Sequence, residues 1–137
     1  MPALFSYPKS QKLKSRKQIE ILFSNNRSLY SYPLKILYQY SLHSTHQPYL
    51  QAGVTVSSRH FKKATQRNRI KRLLREAYRT NKVSLQHFLE LKQVGLTLFI
   101  IYVGKEMPDI HLLNRAVQKL LPEIFNVLLH EMDTTSN

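Results

Sequence analysis

The chain has 137 residues, of which 42% are hydrophobic, and this is the size of one domain with a single core. It carries 21 Lys and Arg against 8 Asp and Glu, a formal net charge of +13, and it has no Cys. Disulfides, thiolate metal sites and thiol nucleophiles are therefore excluded, and the excess of positive charge indicates a polyanionic partner such as nucleic acid.

Two features of the sequence bear on location. The N-terminal residues, MPALFSYPKSQKLKSRK, contain no apolar stretch followed by a cleavage site of the kind found in secretory signal peptides. The most apolar stretch, LTLFIIYV, is far shorter than the roughly 18–20 residues that span a bilayer. We therefore expect a cytoplasmic protein with no membrane partner.

The positive charge is concentrated in the first part of the chain. Residues 1–82 carry 17 basic and 2 acidic side chains, whereas residues 83–137 carry 4 and 6. No internal repeat, linker or low-complexity segment divides the sequence. We expect residues 1–137 to form a single domain that binds nucleic acid or another polyanion, with frayed ends near residues 1–10 and 131–137.

The first helix is predicted to begin after Ser15. Ser15 and Gln18 have the spacing of a capping box, in which the side chains satisfy N–H groups of the first turn. The apolar residues that follow at the spacing of one helix face are Ile19, Leu22 and Phe23. Asn25-Asn26 is the predicted end of this short helix.

Strands are predicted next. A short strand lies near residues 29–32, followed by residues 33–42 (PLKILYQYSL) and 49–58 (YLQAGVTVSS). We expect these last two strands to pair antiparallel. Residues 94–104 (VGLTLFIIYVG) are almost entirely apolar, which is typical of a strand covered on both faces.

Helices complete the predicted fold. A long helix over about residues 64–80 precedes the last strand, and residues 84–92 add a short helical segment. The chain ends in an amphipathic helix from about Asp109, which Pro122 is predicted to kink or restart. The element order α-β-β-β-α-β-α indicates an α+β sandwich of helices against a sheet.

The long helix has an unusual charge pattern. Residues 66–79 (QRNRIKRLLREAYR) carry six basic side chains and one acidic side chain. On a helical wheel, one polar arc holds Arg67, Asn68, Lys71, Arg72, Arg75 and Arg79, with Arg69 and Glu76 at the margin. Solvated helix faces usually mix both signs to form pairs at i, i+4, as Arg72 and Glu76 could here. A face of nearly one sign instead favours a phosphate-bearing partner.

The segment before this helix extends the basic surface. In SSRHFKKA, Arg59, Lys62 and Lys63 stand at the junction of strand and helix. Free N–H groups at a helix N-terminus attract phosphate, and Arg adds bidentate contacts to phosphate oxygens. The junction and the helix therefore predict one continuous surface for a nucleic-acid backbone.

The sequence FKKATQRNRIKRLLREAYR, with Arg67-Asn68-Arg69 at its centre, resembles the signature of the bacterial ribonuclease P protein subunit. The resemblance covers residues 9–121 and includes LKSRKQIEILF, LKILYQY and AGVTVSSR. It implies a mixed sheet in which residues 49–58 and 94–104 are parallel neighbours. It also implies that a left-handed β-α-β crossover joins them, as in domain 2 of ribosomal protein S5.

The resemblance implies a function as well. Members of the family bind a catalytic RNA and promote endonucleolytic removal of the 5′ leader from precursor tRNA. The residues that would face the catalytic RNA are Arg59, Lys62, Lys63, Arg67, Asn68, Arg69, Lys71 and Arg72, to which the helical wheel adds Arg75. The residues that would line a cleft for the single-stranded leader are Ile19, Phe23, Leu37 and Tyr38, with Lys12, Lys14 and Arg16 nearby.

Such a cleft makes physical sense, because aromatic rings on an open sheet face stack on unpaired bases of any sequence and lysines follow the backbone. Phe23 also fits a core position, since it follows Ile19 by one helical turn. The family often has an aromatic residue where this chain has Ile19. It usually has Gly near Lys62, in a loop that is one residue longer here.

No catalytic or metal-binding constellation is visible. The six His residues are scattered, and the pair in HSTH lacks a third ligand. Asp109 and Asp133 are the only Asp residues, and no Gly-rich phosphate loop occurs. We expect no cofactor on the protein alone, and we expect the RNA partner to hold magnesium and to perform the chemistry.

Other functions remain open. The order α-β-β-β-α is also that of double-stranded-RNA-binding and ribosomal-type modules, although these do not use the strand at 94–104 or the last helix. A helix-turn-helix DNA regulator needs a helix where residues 49–58 predict a strand. A non-specific basic assembly protein is a third alternative.

Overall fold

The fold was obtained as a computed structural model, which describes residues 7–13, 15–24, 27–44 and 48–135. Its elements are a 3-10 helix (Lys9–Gln11), α1 (Arg16–Ser24), β1 (Ser28–Ser31), β2 (Leu34–Ser41), β3 (Leu50–Val56), α2 (Ala64–Asn81), α3 (Val83–Lys92), β4 (Gly95–Tyr102) and α4 (Ile110–Thr135). The predicted order of elements is confirmed, with α3 as the short helical segment. No helix within these ranges is long and apolar enough to cross a membrane.

The start of α1 follows the predicted capping motif. The backbone N–H of Gln18 donates to Ser15 Oγ at 3.3 Å, which satisfies one N–H group of the first turn. Leu22 is buried and Ile19 is half-buried, whereas Phe23, the third residue of the predicted apolar face, is exposed. The predicted end at Asn25-Asn26 lies outside the described residues.

The four strands form one mixed sheet in the order β1-β2-β4-β3. β3 and β4 are parallel neighbours, which confirms the predicted pairing of residues 49–58 and 94–104. The predicted pairing of residues 33–42 with 49–58 is wrong, because β4 lies between them and pairs antiparallel with β2. An interior position gives the most apolar strand a partner on each edge and satisfies its backbone. The left-handed crossover stays a prediction.

The main core lies on one face of the sheet, under α2, α3 and α4. Alternate strand residues point into it, and Ile36 of β2 and Leu98 of β4 are fully buried there. Leu74, Leu89 and Leu120 enter the same cluster from the three helices. This arrangement is the predicted α+β sandwich.

The opposite face of the sheet carries a much smaller cluster, which we call the α1-side cluster. Its buried members are Leu13, Leu22, Leu37 and Phe99, with Ile19 and Ile101 packed against them. α1, a helix of nine residues, packs over this cluster against β2. Neighbouring strand side chains on the same face, such as Lys35 and Gln39, are exposed. Part of this face is therefore open to a ligand.

The last helix is longer and more regular than predicted. α4 is continuous through Pro122, so the predicted restart there is wrong. Leu120, Leu121 and Ile124 are buried on both sides of Pro122, and this packing keeps the helix in place despite one missing N–H donor. The predicted start is confirmed, since Asp109 lies immediately before the first helical residue.

Regular elements extend into the segments at both ends that were predicted to fray, and the fraying itself stays a prediction. α4 continues through Thr135, and Met132 packs against the main core, which explains why the helix persists beyond residue 131. Near the N-terminus, Lys9–Gln11 form the 3-10 helix. The remaining predicted frayed positions, residues 1–6 and 136–137, lie outside the described residues.

Candidate nucleic-acid interface

The solvent side of α2 is basic. Asn68, Arg69, Arg72 and Arg75 are exposed along it, and the opposite side buries Ile70, Leu74, Ala77 and Tyr78. Arg69, which the helical wheel placed at the margin, is among the exposed residues. We call the set formed by Asn68, Arg69, Arg72 and Arg75 the α2 basic face.

Arg67 and Lys71 do not belong to the centre of this face, and the predicted arc is corrected here. Both are half-buried. The steps from Arg67 to Lys71, from Lys71 to Leu74 and from Leu74 to Tyr78 are four, three and four residues, so these four residues lie on one row of the helix. That row turns toward the core. The two cations therefore sit at the edge of the core side rather than in the middle of the solvent side.

Arg67 instead holds the loop before α2. One of its guanidinium nitrogens, Nη1, donates to the carbonyl oxygens of Phe61 and Lys62, each at 2.8 Å. Phe61 is buried against the Tyr102 ring at a centroid distance of 6.0 Å, which anchors the other end of the loop. Arg67 thus fixes the position of the basic loop as well as contributing charge.

The loop places its own cations at the start of α2. Arg59, Lys62 and Lys63 are all exposed there, as the sequence predicts. Lys63 is the N-cap residue, and its side chain makes no capping hydrogen bond. N–H groups of the first turn are therefore available to an anion.

A shallow open cavity of about 470 Å³ lies on the α2 basic face. It is lined by Thr65, Asn68, Arg69, Arg72 and Leu73. The lining combines hydrogen-bonding groups and guanidinium groups with one aliphatic side chain. This combination suits the sugar and phosphate of a nucleic-acid backbone.

The charges of the α2 basic face are not neutralised within the described residues. Glu76, the acidic residue of this segment, accepts a bond from Arg79 at 2.6 Å rather than pairing with Arg72 as the spacing allowed. The hydrogen bond from Arg79 lowers the pKa of Glu76. Arg69, Arg72 and Arg75 have no carboxylate partner in the described part of the chain, so their charge is available to phosphates.

The second candidate surface lies on the α1 side of the sheet. Phe23 is 56% exposed, and its ring meets the Phe99 ring edge-on at a centroid distance of 5.6 Å. Ile19 is half-buried and Leu37 is buried in the α1-side cluster beneath them. The structure therefore brings these three predicted cleft residues together, and Phe23 presents an aromatic ring to solvent.

Tyr38, the fourth predicted cleft residue, is on the wrong side of the sheet. Its ring is half-buried and packs against the main core. Consecutive strand residues point to opposite faces, so Leu37 and Tyr38 cannot line the same cleft. The assignment of Tyr38 to the leader cleft is therefore wrong.

A row of amide and hydroxyl groups, missed from the sequence, extends this surface. The strand register aligns Gln39, Thr97 and Gln51 across three strands, and Gln18 of α1 joins them in a groove of about 260 Å³. The side chains of Gln18, Gln39 and Thr97 have no hydrogen-bond partner among the described residues. The alternation that turns Leu37 toward α1 turns Gln39 the same way, and this signal was available in the sequence.

Cations flank the α1 side. Arg16 is exposed at the start of α1, and the Lys12 ammonium lies 5.6 Å from the centroid of the Tyr7 ring. Lys14 lies outside the described residues. Lys35, also missed from the sequence, is exposed on this face beside its strand neighbour Tyr30, which is 60% exposed. Positive charge and an aromatic ring therefore continue toward the β1 edge.

A metal site is not part of this geometry. Among the residues that the structure describes, no three His, Asp or Glu side chains come close enough together to hold an ion. The two basic surfaces can bind anions, and nothing in their donor sets favours a cation.

Comparison with known proteins decides between the open alternatives. The family model described as Ribonuclease P matches residues 7–124 of the chain. The chain belongs to this family. The double-stranded-RNA-binding, helix-turn-helix and assembly-protein alternatives are thereby set aside.

Relatives and solved structures agree with this assignment. The Ribonuclease P protein component of Porphyromonas gingivalis is 39% identical over 124 residues, covering 90% of this chain and 89% of the relative. That of Chlorobium phaeobacteroides is 30% identical over 128 residues, covering 87% and 88%. The RNase P protein of Staphylococcus aureus shares the fold with a TM-score of 0.64 at 14% identity, covering 85% of this chain and 96% of that chain. The RNase P protein from Thermotoga maritima gives a TM-score of 0.59 at 26% identity, covering 80% and 94%.

Family membership establishes the general role. The chain is the protein subunit of a ribonuclease P, an endoribonuclease of tRNA processing that also contains an RNA subunit. RNA binding follows from that role.

Proposed function

We propose that the chain binds the catalytic RNA through α2 and the 5′ leader of precursor tRNA through the α1 side of the sheet. Holding both together promotes endonucleolytic removal of the leader. The observation that carries the proposal is the presence of two separate surfaces with different chemistry. One is a helix face with uncompensated guanidinium groups, and the other is an open sheet face with an exposed aromatic ring.

The chemistry of α2 supports contact with folded RNA. Guanidinium groups bind phosphate oxygens bidentately, and Asn68 can bond a sugar hydroxyl or a base edge. Arg67 holds the loop that carries Arg59, Lys62 and Lys63, so the loop and the helix act as one surface. We propose that all nine predicted positions serve this surface, with Arg67 acting partly through the loop.

The chemistry of the α1 side supports contact with a single strand. Phe23 can stack on an unpaired base, and Arg16, Lys12 and Lys35 can follow its phosphates. The neighbouring amide row, centred on Gln39, can bond base edges that a duplex would keep paired. Tyr38 faces the main core and is not part of the proposed leader surface. That surface is formed by Lys12, Lys14, Arg16, Ile19, Phe23 and Leu37, together with Lys35 and Gln39.

Magnesium belongs to the RNA side of this proposal. Hydrolysis of the phosphodiester requires charge stabilisation and an activated water, and we propose that ions held on RNA phosphates provide both. The protein's part is to neutralise backbone charge and to fix the leader near the cleavage site, which lowers the magnesium needed for assembly. The proposed location is the cytoplasm, where precursor tRNA is transcribed in bacteria.

The test is cleavage of precursor tRNA by a bacterial catalytic RNA at a magnesium concentration where the RNA alone is slow. We expect the chain to raise the rate and to lower the magnesium requirement. The matched control carries Arg69→Ala, Arg72→Ala and Arg75→Ala. With this variant, cleavage should need as much magnesium as it does with the RNA alone. A rate that is equally slow with and without the intact chain would contradict the proposal.

The leader part is tested separately. Precursors with leaders of increasing length should bind the assembled enzyme more tightly than mature tRNA, up to the length that the α1 side can hold. Phe23→Ala should reduce this gain and leave the affinity for mature tRNA unchanged. If intact chain shows no gain with leader length, the leader does not lie on the protein.

A further inference from the structure

The N-terminal segment of the protein is fastened along the edge of the sheet. Residues 7–13, which we call the strap, lie beside β3, the outermost strand. The Leu13 N–H donates to the Ala52 carbonyl at 2.9 Å, and Lys12 forms a parallel bridge with the same residue. The Tyr7 hydroxyl also donates to the Ala52 carbonyl. The strap carries Lys12 and precedes α1, so its position sets the position of the proposed leader surface.

A buried lysine connects the strap to the helices. Lys82, between α2 and α3, is fully buried. Its Nζ donates to Gln11 Oε1 of the strap at 2.8 Å and to Gln86 Oε1 of α3 at 2.7 Å. No carboxylate in the described residues lies within ion-pair distance of it, although Glu90, which accepts from the Gln86 side chain at 3.2 Å, attracts the ammonium from farther away. Burial lowers the pKa of Lys82.

A lysine is an unfavourable choice at such a position if it only fills space. Removing an ammonium from water without a carboxylate partner costs stability, and an apolar side chain of similar length would avoid this cost. Two directional hydrogen bonds are what Lys82 provides and a methionine cannot. One of them reaches across 71 positions of sequence to Gln11.

The other hydrogen bonds of the strap run to β3, where the Gln51 side-chain amide also donates to the Ser10 carbonyl at 3.3 Å. Toward the helices, the other contact of the strap is a pair of rings. The Tyr7 ring packs edge-on against the Tyr78 ring of α2 at a centroid distance of 5.2 Å. Ring packing tolerates rotation and small shifts, whereas two hydrogen bonds at fixed distances define a register. The bond from Lys82 to Gln11 is therefore the contact that fixes the strap relative to α2 and α3.

We propose that Lys82 is a positioning residue for leader binding. By holding Gln11 it fixes the strap relative to the helices, and so keeps Lys12 and the start of α1 where the leader phosphates pass. Lys82 itself is buried and touches no RNA. The inference rests on the proposed leader surface, and it concerns a residue outside both candidate RNA interfaces.

Lys82→Met tests the proposal against Lys92→Met, which removes an exposed lysine from the opposite end of α3. The first measurement is hydrogen exchange of the Leu13 amide, which bonds the Ala52 carbonyl. We expect Lys82→Met to speed this exchange about tenfold through local opening of the strap. Its melting temperature should fall only slightly, because removing a buried ammonium offsets part of the loss of two hydrogen bonds. Lys92→Met should change neither.

The second measurement uses the holoenzyme assembled on a bacterial catalytic RNA. The ratio of affinities for precursor tRNA and mature tRNA should fall about three- to tenfold in Lys82→Met. A change of this size corresponds to the loss of about one hydrogen bond between the protein and the leader. The affinity of the protein for the catalytic RNA should stay within about twofold, since the substitution alters none of the residues of the α2 basic face.

The outcomes are separable. Unchanged Leu13 exchange in Lys82→Met overturns the proposal, because Lys82 then does not hold the strap. Faster exchange with an unchanged affinity ratio also overturns it, since the strap would then not position the leader surface. A ratio of one in the intact protein would instead refute the proposed leader surface, whatever Lys82 does to the strap.

Discussion

The two faces of the sheet differ in how completely they are covered. Three helices cover one face and bury a cluster that includes Ile36, Leu98 and Leu120. On the other face, the described residues form one nine-residue helix and a cluster with four buried hydrophobic side chains. A fully covered face determines the fold, whereas a partly covered face leaves aromatic and polar groups available to a ligand. Stability and RNA binding should therefore respond to different substitutions on the two faces.

The largest expected effect is on the covered face. Leu98→Ala leaves a cavity in the main core and should lower the free energy of unfolding by about 2–5 kcal/mol. Phe23→Ala on the open face should lower it by about 1 kcal/mol or less, because more than half of the ring is already in water. Urea unfolding of both variants measures the difference. Equal losses would mean that the α1-side cluster supports the fold as strongly as the main core.

The next effect concerns α2. Replacing Arg69, Arg72 and Arg75 with Ala should flatten the slope of log affinity for the catalytic RNA against log salt by about two to three units, since each lost phosphate contact releases fewer counterions. The measurement is binding at several salt concentrations. The matched control replaces three exposed cations elsewhere, Lys105, Arg115 and Lys119. If the control flattens the slope equally, net charge and not the α2 basic face governs binding.

A smaller effect is expected on the open face. Phe23→Ala should weaken precursor tRNA relative to mature tRNA by about 1–3 kcal/mol, the contribution of one stacked base. Affinity for both RNAs, measured with the assembled enzyme, provides the ratio. Tyr38→Leu is the control, because it removes a neighbouring aromatic ring that faces the main core. A similar change in ratio for both variants would show that the two faces are not functionally distinct.

The smallest expected effect concerns two tyrosine hydroxyl groups in the main core, one without and one with a hydrogen-bond partner. The Tyr78 hydroxyl is buried with no hydrogen-bond partner among the described residues, and burial raises its pKa well above the usual value. Tyr78→Phe should therefore raise the free energy of unfolding by about 1 kcal/mol. Tyr102→Phe should lower it by about the same amount, because the Tyr102 hydroxyl donates to the Glu106 carbonyl. Thermal unfolding of both variants checks the two signs, and a loss in Tyr78→Phe would reveal a bound partner.

The sequence alone determined what depends on nearby residues. Ser15 and Gln18 predicted the start of α1, apolar spacing predicted the helices, and the apolar run at 94–104 predicted a strand. That strand was predicted to be covered on both faces, but its α1 side is only partly covered. The Arg67-Asn68-Arg69 motif indicated the family. These features are local because capping, side-chain periodicity and charge act between neighbours in sequence.

Tertiary structure alone decided what depends on distant partners. It placed β4 between β2 and β3, turned Tyr38 into the core and moved Arg67 from the solvent side of α2 to the loop carbonyls. It also joined Lys82 to Gln11. The physical reason is that alternation says which residues share a face, but not which face is buried or which strand edges meet. Those outcomes depend on how the whole chain packs, and the same local pattern is compatible with several arrangements.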